Sequence, residues 1–238
     1  PYTTLFRSAD PIPAVDKVVG PGSVWVQTAK RLLYGIIDID MVAGPTEALI
    51  VADSSAPPAF VAADLLSQAE HETGTSVWAI LVGDYDLAAL QQEIVRQTKA
   101  APRSEIINAS LKRNGAIVRV NTMEEAALLA NQRAPEHISL VVRKPESLAK
   151  KITSAGAIFL GPWTPESVGD YVAGPNHVLP TGRTARFFSP LSVDDFVRHD
   201  HIVSLSRASL EAVAEATIQM AEAEGLHAHA QAVRERLK

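Results

Sequence analysis

The sequence has no cysteine, and this absence excludes disulfides, thiolate metal sites and cysteine nucleophiles. It therefore favours the cytoplasm as the compartment. The sequence also lacks an uninterrupted apolar run of roughly 18 residues, so we expect no membrane contact. Lys and Arg number 22 against 27 Asp and Glu, a net charge of -5 that argues against nucleic acid as a partner. What is present, 238 residues with 47% hydrophobic and 21% charged, is typical of a folded globular protein.

The first eight residues, Pro-Tyr-Thr-Thr-Leu-Phe-Arg-Ser, match the translation of one reading frame of a common sequencing adapter. We expect residues 1–8 to be a non-native scar joined to a gene whose front is missing. A processed natural N-terminus is the alternative.

Apolar segments alternate with helical patterns from residue 15 to residue 160. The predicted strands are 15–19, 48–52, 76–82, 116–120, 138–142 and 157–160. The predicted helices are 23–34, 57–69, 87–97, 124–131, 146–153, 192–198, 208–224 and 228–237. This order predicts an α/β fold with a parallel sheet and helices on both faces, followed by a C-terminal helical tail. The irregular stretch 161–190 interrupts the alternation and is a candidate functional segment.

Two short motifs contain side chains suited to metal binding and proton transfer. Gln68 and His71 lie three residues apart on a predicted helix, so their side chains share a face and could bind one metal ion. Glu136 and His137 are adjacent at the start of a predicted strand and offer two bases of different pKa. Each pair is also typical of a solvated helix end, and spacing alone leaves both interpretations open.

Further candidates lie in turns and near the C-terminus. Asp170 and His177, in the irregular stretch, add an oxygen and a nitrogen donor, although turn formation explains them as well. Glu224 and His229 flank the break at Gly225, where a surface helix end is the alternative. Two further turns could approach a ligand, Gly20-Pro21-Gly22-Ser23 and Gly44-Pro45-Thr46-Glu47, but neither has the full dinucleotide fingerprint.

The residues of these motifs and their order along the chain resemble one family, the histidinol dehydrogenases of histidine biosynthesis. The matching segments are Val15-Asp16-Lys17, Gly20-Pro21-Gly22, Ala43 to Glu47, Ala62 to His71, Pro135-Glu136-His137, Thr153 to Gly156, Pro165 to Tyr171, Gly174 to Thr181, Glu224-Gly225-Leu226 and Ala228-His229-Ala230.

The resemblance implies a zinc-dependent enzyme that oxidises L-histidinol to L-histidine through the aldehyde and reduces two NAD molecules. It implies a homodimer with one zinc per subunit and an active site shared between subunits. The implied zinc ligands are Gln68, His71, Asp170 and, from the partner chain, His229. These four residues would also contact the substrate.

The resemblance also gives roles to the remaining candidates. His137 matches the general base for alcohol oxidation and contacts substrate, and Glu136 matches the base that activates water. The other implied substrate contacts are Thr46, where the family commonly has Ser, His177, and Glu224 from the neighbouring subunit. Ser23 stands where a cofactor-contacting Asn is usual, so its NAD contact differs from the family pattern.

The family's chain is longer, which leads us to expect an incomplete Rossmann-like architecture. We predict that residues 9–46 are a remnant of a second, NAD-side domain. Residues 47–190 would form the Rossmann-like domain with the metal ligands and bases, and residues 191–238 a dimerisation tail.

Two alternatives follow from the same residues. One is a paralogous NAD-dependent dehydrogenase of another small polar alcohol, such as a sulfonated diol, although Glu224 favours a cationic substrate. The other is a zinc-binding dimeric fragment without catalysis, because the cofactor half would be missing.

Overall fold

The computed structural model describes residues 13–238, so the predicted scar at residues 1–8 lies outside the described part. The chain divides into two compact units, the first ending at Phe196 and the second comprising Val197–Lys238. Within the described residues, no helix combines the length and apolarity needed to span a bilayer. The predicted divisions after residues 46 and 190 stay predictions.

The first unit is built on a five-stranded parallel sheet. Its strands are β3 (Glu47–Ala52), β4 (Ser76–Val82), β5 (Ala116–Val120), β6 (His137–Val141) and β7 (Ala157–Leu160), and a separate pair consists of β1 (Lys17–Val18) and β2 (Asp38–Ile39). The strand order β5-β4-β3-β6-β7 is that of a doubly wound sheet with its crossover between β3 and β6. All six residues of β3 are buried, since this strand is central and covered on both faces.

Helices cover both faces of the sheet, as the alternating pattern predicts. The helices of the first unit are α1 (Val24–Leu33), α2 (Pro58–Ala69), α3 (Leu87–Ala100), α4 (Ser104–Asn114), α5 (Met123–Arg133), α6 (Pro145–Ala149) and α7 (Ser167–Tyr171). One apolar cluster joins α2, α3 and α4 to the side chains of Ile50 and Leu81. A second cluster joins α5 and α6 to the opposite side chains, among them Leu49 and Ile80. The predicted α/β fold, a parallel sheet with helices on both faces, is confirmed.

A buried ion pair fixes the turn that follows β1. Lys30 of α1 pairs with Asp40, and both side chains are almost fully buried. Asp40 also accepts a 2.7 Å hydrogen bond from the backbone N–H of Gly20, while the Lys30 ammonium donates to the Gly20 carbonyl at 2.9 Å. These bonds tie helix α1 and β2 to the Gly20-Pro21-Gly22 turn. Ser23 occupies the N-cap position of α1, but its side chain makes no capping bond.

The second unit consists mainly of two helices, α8 (Arg207–Ala223) and α9 (His227–Arg236). Ser206 caps α8 by accepting from the backbone N–H of Ser209, and Gly225 breaks the helical path with a positive φ of 73°. Within this unit the buried side chains are small alanines, including Ala214, Ala221 and Ala230. The predicted helical tail is confirmed within two residues at each end.

Four local predictions were wrong. The sequence patterns gave no helix between residues 97 and 116, yet α4 packs Ile107 into the core there. A short 3-10 turn, Val193–Phe196, replaces the helix predicted for 192–198. The helix predicted for 146–153 is the shorter α6, and α7 lies inside the stretch predicted to be irregular.

Candidate active site

A cavity of about 350 Å³ lies at the amino-terminal ends of β3 and β6. Seven of the predicted site residues line it: Thr46, Gln68, His71, Glu136, His137, Asp170 and His177. They come from four separate segments of the chain, which the fold brings together around one cavity. Ligands of open α/β sheets usually bind outside the carboxyl ends of the strands, and this cavity lies at the opposite edge.

The C-terminal end of α2 supplies an oxygen and a nitrogen donor to the cavity. Gln68 is only 1% exposed, and its buried Oε1 atom has no hydrogen-bond partner among residues 13–238. His71, just beyond the helix end, is exposed and lines the same cavity. A buried acceptor without a partner carries a desolvation cost, so this oxygen is suited to a ligand.

Asp170 of α7 faces the imidazole of His137 across the cavity, with Oδ1 3.8 Å from Nε2. The facing His137 imidazole has the largest effect and lowers the pKa of Asp170, partial burial acts against it, and the charges of His71 and His177 lower the pKa further. The side chain is therefore an ionised carboxylate at neutral pH. Together with Gln68 and His71 it forms an oxygen–nitrogen–oxygen donor set suited to a divalent cation.

The backbone of one β3 residue, Glu47, contacts both predicted bases through its two flanking peptide units. The backbone N–H of Glu47 donates a 2.9 Å hydrogen bond to Oε2 of Glu136, and the Glu47 carbonyl lies 3.3 Å from Nδ1 of His137. When Nδ1 carries the proton it donates to this carbonyl, which leaves Nε2 as the nitrogen that faces the cavity. Parallel pairing of β3 with β6, in which Ala48 is opposite His137, sets this arrangement.

Burial and neighbouring charges shift the pKa values of both bases. Desolvation raises the pKa of Glu136 to about 7, although His137 and the Glu47 amide act in the opposite direction. Burial by itself would lower the pKa of His137, but the facing carboxylates of Asp170, Glu136 and Glu166 outweigh it and raise the value to about 9. Glu136 therefore titrates near neutral pH beside an imidazole that is mostly protonated there.

A second buried carboxyl group, which the sequence analysis left without a role, lies beneath His137. Glu166 is fully buried and accepts a 3.1 Å hydrogen bond from Ser139, while its Oε2 atom has no partner. Desolvation, reinforced by the charge of Asp64, raises its pKa to about 8. In the sequence, the feature that could have identified Glu166 is its position within the Pro165 to Tyr171 motif. Glu47 and Thr181, which contacts the Gly44 amide, also lie in quoted motifs without an assigned role.

The remaining predicted residues stand apart from this arrangement or belong to the second unit. Ser23 is exposed at the start of α1 and does not line the cavity. Glu224 follows α8 and His229 lies in α9, and both are exposed within the second unit. Among residues 13–238 no three His, Cys, Asp or Glu side chains group as a metal site. The cavity's donor set includes the amide of Gln68, which is outside those four residue types.

Comparison with known proteins decides the family. The family model described as histidinol dehydrogenase matches residues 7–237. The chain belongs to the histidinol dehydrogenase family. It is 49% identical over 225 residues to the histidinol dehydrogenase of Heliobacterium mobile, covering 94% of this chain and 53% of that protein. It is 51% identical over 232 residues to that of Caldanaerobacter subterraneus, covering 98% of this chain and 54% of the relative.

A solved structure of the family has the same fold. The crystal structure of histidinol dehydrogenase from Elizabethkingia anophelis superposes with a TM-score of 0.92 at 37% identity, covering 99% of this chain and 55% of that one. The chain thus spans about half the length of the histidinol dehydrogenases that it matches. The predicted family is confirmed, and the roles of the individual cavity residues stay predictions.

Proposed function

We propose that the chain forms the substrate- and metal-binding part of a zinc-dependent, NAD-linked enzyme that oxidises L-histidinol to L-histidine. The observation that carries the proposal is the cavity in which the unpartnered oxygen of Gln68, the imidazole of His71 and the carboxylate of Asp170 adjoin the paired bases Glu136 and His137. Family membership supports this assignment, since the relatives are named histidinol dehydrogenases.

The donors of the cavity fit zinc. Gln68, His71 and Asp170 would hold the ion, with His229 of the partner subunit as a fourth ligand. The buried Oε1 of Gln68 supports this fit, because no protein donor satisfies it. Bound zinc would supply a positive charge that orients the amine and imidazole nitrogens of the substrate.

His137 would act in the first half-reaction. Its Nε2 faces the cavity, and its Nδ1 is held by the Glu47 carbonyl. The neutral form of the ring, which is the minor form at pH 7 because the pKa of His137 is about 9, would accept the hydroxyl proton of histidinol. NAD would supply the acceptor for the hydride that leaves the carbon bearing this hydroxyl group. The products are the aldehyde, NADH and one proton, which resides on the imidazole.

Glu136 would act in the second half-reaction. Its carboxylate is fixed by the Glu47 amide and has a pKa raised to about 7 by burial, which makes it a stronger base than an exposed Glu. It would remove a proton from water as the water oxygen attacks the aldehyde carbon. The first water proton would stay on Glu136, and the hydrate anion would give up a hydride, for which a second NAD would supply the acceptor. The carboxylic acid formed in this way would release its proton to the solvent and become the carboxylate of histidine.

The other predicted residues complete the proposal. Thr46 and His177 line the cavity and would contact the substrate. Glu224 of the partner subunit would pair with the substrate's positive charge in the homodimer. Ser23 would contact NAD with a shorter side chain than the family's usual Asn. The lack of cysteine supports the cytoplasm as the compartment.

The test is calorimetric titration of this chain with L-histidinol, with zinc present and after chelation. The proposal expects saturable binding that depends on zinc and is lost in Asp170→Asn. The matched control is Asp84→Asn, which lies away from the cavity. Failure to bind histidinol together with binding of another small alcohol would favour the paralogous dehydrogenase. Zinc-dependent binding without NAD reduction would indicate the catalytically incompetent fragment.

A further inference from the structure

A side-chain cluster behind the two bases has no place in the reaction proposed above. Arg133, the last residue of α5, contacts Glu47 with Nη2 3.0 Å from Oε1. The same nitrogen donates to Ser76 Oγ at 3.0 Å, and the guanidinium lies over the Trp78 ring at 5.3 Å from its centroid. Three contacts thus hold this arginine in one position on the sheet.

The partner of Arg133 is the residue whose backbone contacts both bases. Glu47 is the first residue of β3, where the strand's backbone bonds to its neighbours begin. Glu47 precedes Leu49 by two residues and Trp78 precedes Ile80 by two, so each shares a sheet face with that later residue. Leu49 and Ile80 belong to one apolar cluster, so the Glu47 side chain points to the sheet face that carries Trp78. The ion pair with Arg133 therefore restrains the Glu47 peptide from the face opposite His137.

We propose that Arg133 is a positioning residue: through its ion pair with Glu47 it fixes the backbone of that residue, whose N–H orients Glu136 and whose carbonyl orients His137. Two contacts through Glu47 connect Arg133 to Glu136. Nη2 of Arg133 lies 3.0 Å from the Glu47 carboxylate, and the Glu47 amide donates to Glu136 over 2.9 Å. The role of the two bases rests on the proposed function, whereas the restraint on the Glu47 peptide does not.

The chemistry explains why such a restraint matters. A general base acts only when its lone pair is aligned with the proton that it removes, and displacements near 1 Å slow enzymes by about 100-fold. Within the described residues, the Glu136 carboxylate accepts from one backbone donor, the Glu47 amide. Loss of the ion pair also leaves the largely buried Glu47 carboxylate without its cation, which favours movement of the side chain and its peptide.

The test compares three variants in the zinc-loaded chain. Arg133→Gln removes the cation, Arg133→Lys keeps it, and Arg96→Gln is the control, because it breaks the exposed pair of Arg96 with Glu93 on α3. Hydrogen exchange at the Glu47 amide, followed by NMR, reads the restraint directly. We expect exchange about tenfold faster in Arg133→Gln, with near-normal exchange in Arg133→Lys and Arg96→Gln.

Amides deeper in β3 separate positioning from general destabilisation. Leu49 and Ile50 should keep their protection in Arg133→Gln, since their ladder bonds are far from the ion pair. Equal acceleration at Glu47, Leu49 and Ile50 would show loss of stability alone and would overturn the proposal. Unchanged exchange at Glu47 would overturn it as well.

Turnover gives the functional result. In the NAD-linked oxidation of histidinol, Arg133→Gln should lower kcat about tenfold with little change in KM or zinc content, and Arg133→Lys should restore most of kcat. An unchanged kcat with faster Glu47 exchange would overturn the link from peptide to catalysis. If the unmodified chain neither binds nor oxidises histidinol, the proposed function fails, and the exchange result still decides whether Arg133 fixes the peptide.

Discussion

Lys30 and Asp40 form an ion pair that is closed to solvent on both sides, with side-chain exposures of 1% and 0%. The pair satisfies the turn at Gly20 as well, because Asp40 accepts from its N–H and Lys30 donates to its carbonyl. Pro21, the next residue, lines the cavity. A structural ion pair thus supports one wall of the candidate active site.

Lys30→Ala should destabilise the chain strongly. It leaves the Asp40 carboxylate buried without its cation, a change that typically costs about 3–5 kcal/mol in the free energy of unfolding. The measurement is urea unfolding of the zinc-free chain. Lys151→Ala is the control, because its pair with Glu124 is exposed and contributes little to stability. Equal losses in the two variants would contradict the prediction.

Gly156→Ala should disturb the backbone next to the bases. An added Cβ would lie 2.6 Å from the Glu136 carbonyl oxygen, which already accepts from the Ala157 N–H. Because a backbone atom must move, we expect a loss of about 1–3 kcal/mol and weaker histidinol binding. Gly74→Ala, whose Cβ would meet only ordinary contacts of 3.5 Å or more, is the control. Thermal unfolding and calorimetry check both variants, and similar behaviour would count against the prediction.

The buried carboxyl of Glu166 should make stability fall as the pH rises. Its pKa is about 8 in the folded chain against 4.5 as the ordinary value, so the folded state holds a proton that the unfolded state releases. The stabilisation is complete below about pH 4.5 and is lost as the pH approaches 8, with an upper bound of roughly 5 kcal/mol.

Glu166→Gln isolates this effect, since the amide stays neutral at every pH. Urea unfolding at pH 5 and pH 8.5 should show a smaller drop for the variant than for the unmodified chain. Asp64 and His137, whose charges act on Glu166, titrate in both proteins, so the difference between the profiles reports the ionisation of Glu166 together with its coupling to these two groups. Parallel pH profiles would show that Glu166 ionises freely in the fold.

Glu136→Gln should divide the two half-reactions. Aldehyde oxidation should fall by about 100-fold or more, because the base for water is removed, while much of alcohol oxidation remains. In the unmodified enzyme, aldehyde oxidation should rise through about pH 7, where Glu136 loses its proton. Single-turnover rates with histidinol and with the aldehyde check this, and equal losses in both steps would refute the division of roles.

His229→Ala should reduce zinc binding in the dimer, because the proposal takes the fourth ligand from the partner subunit. Zinc content after gel filtration of the dimer, measured by atomic absorption, gives the result. His227→Ala is the matched control, two residues away on the same helix. Unchanged zinc content in His229→Ala would argue against a shared site.

The sequence predicted most of the sheet because its strands are short apolar runs between clear helical patterns. The sequence analysis missed α4 because Pro102 precedes it and most of its residues are polar. The buried residues of this helix are Ile107 and Ser110, which give too weak an apolar pattern. Sequence motifs identified the residues that line the cavity. The contacts of Arg133, Ser139 and Glu166 could not be predicted in this way, because they depend on strand register and join residues at least 27 positions apart.

The cavity lies at the amino ends of the strands. A ligand there meets helix ends of the opposite partial charge from those at the usual binding edge of a doubly wound fold. In such folds the carboxyl edge gathers helix N-termini, whose partial positive charge binds phosphate. At the opposite edge α2 presents its C-terminus, with no basic residue in its last turn, beside Gln68 and His71. Its partial negative charge adds to the Asp170 carboxylate, so the backbone itself favours metal ions and protonated amines over phosphorylated ligands.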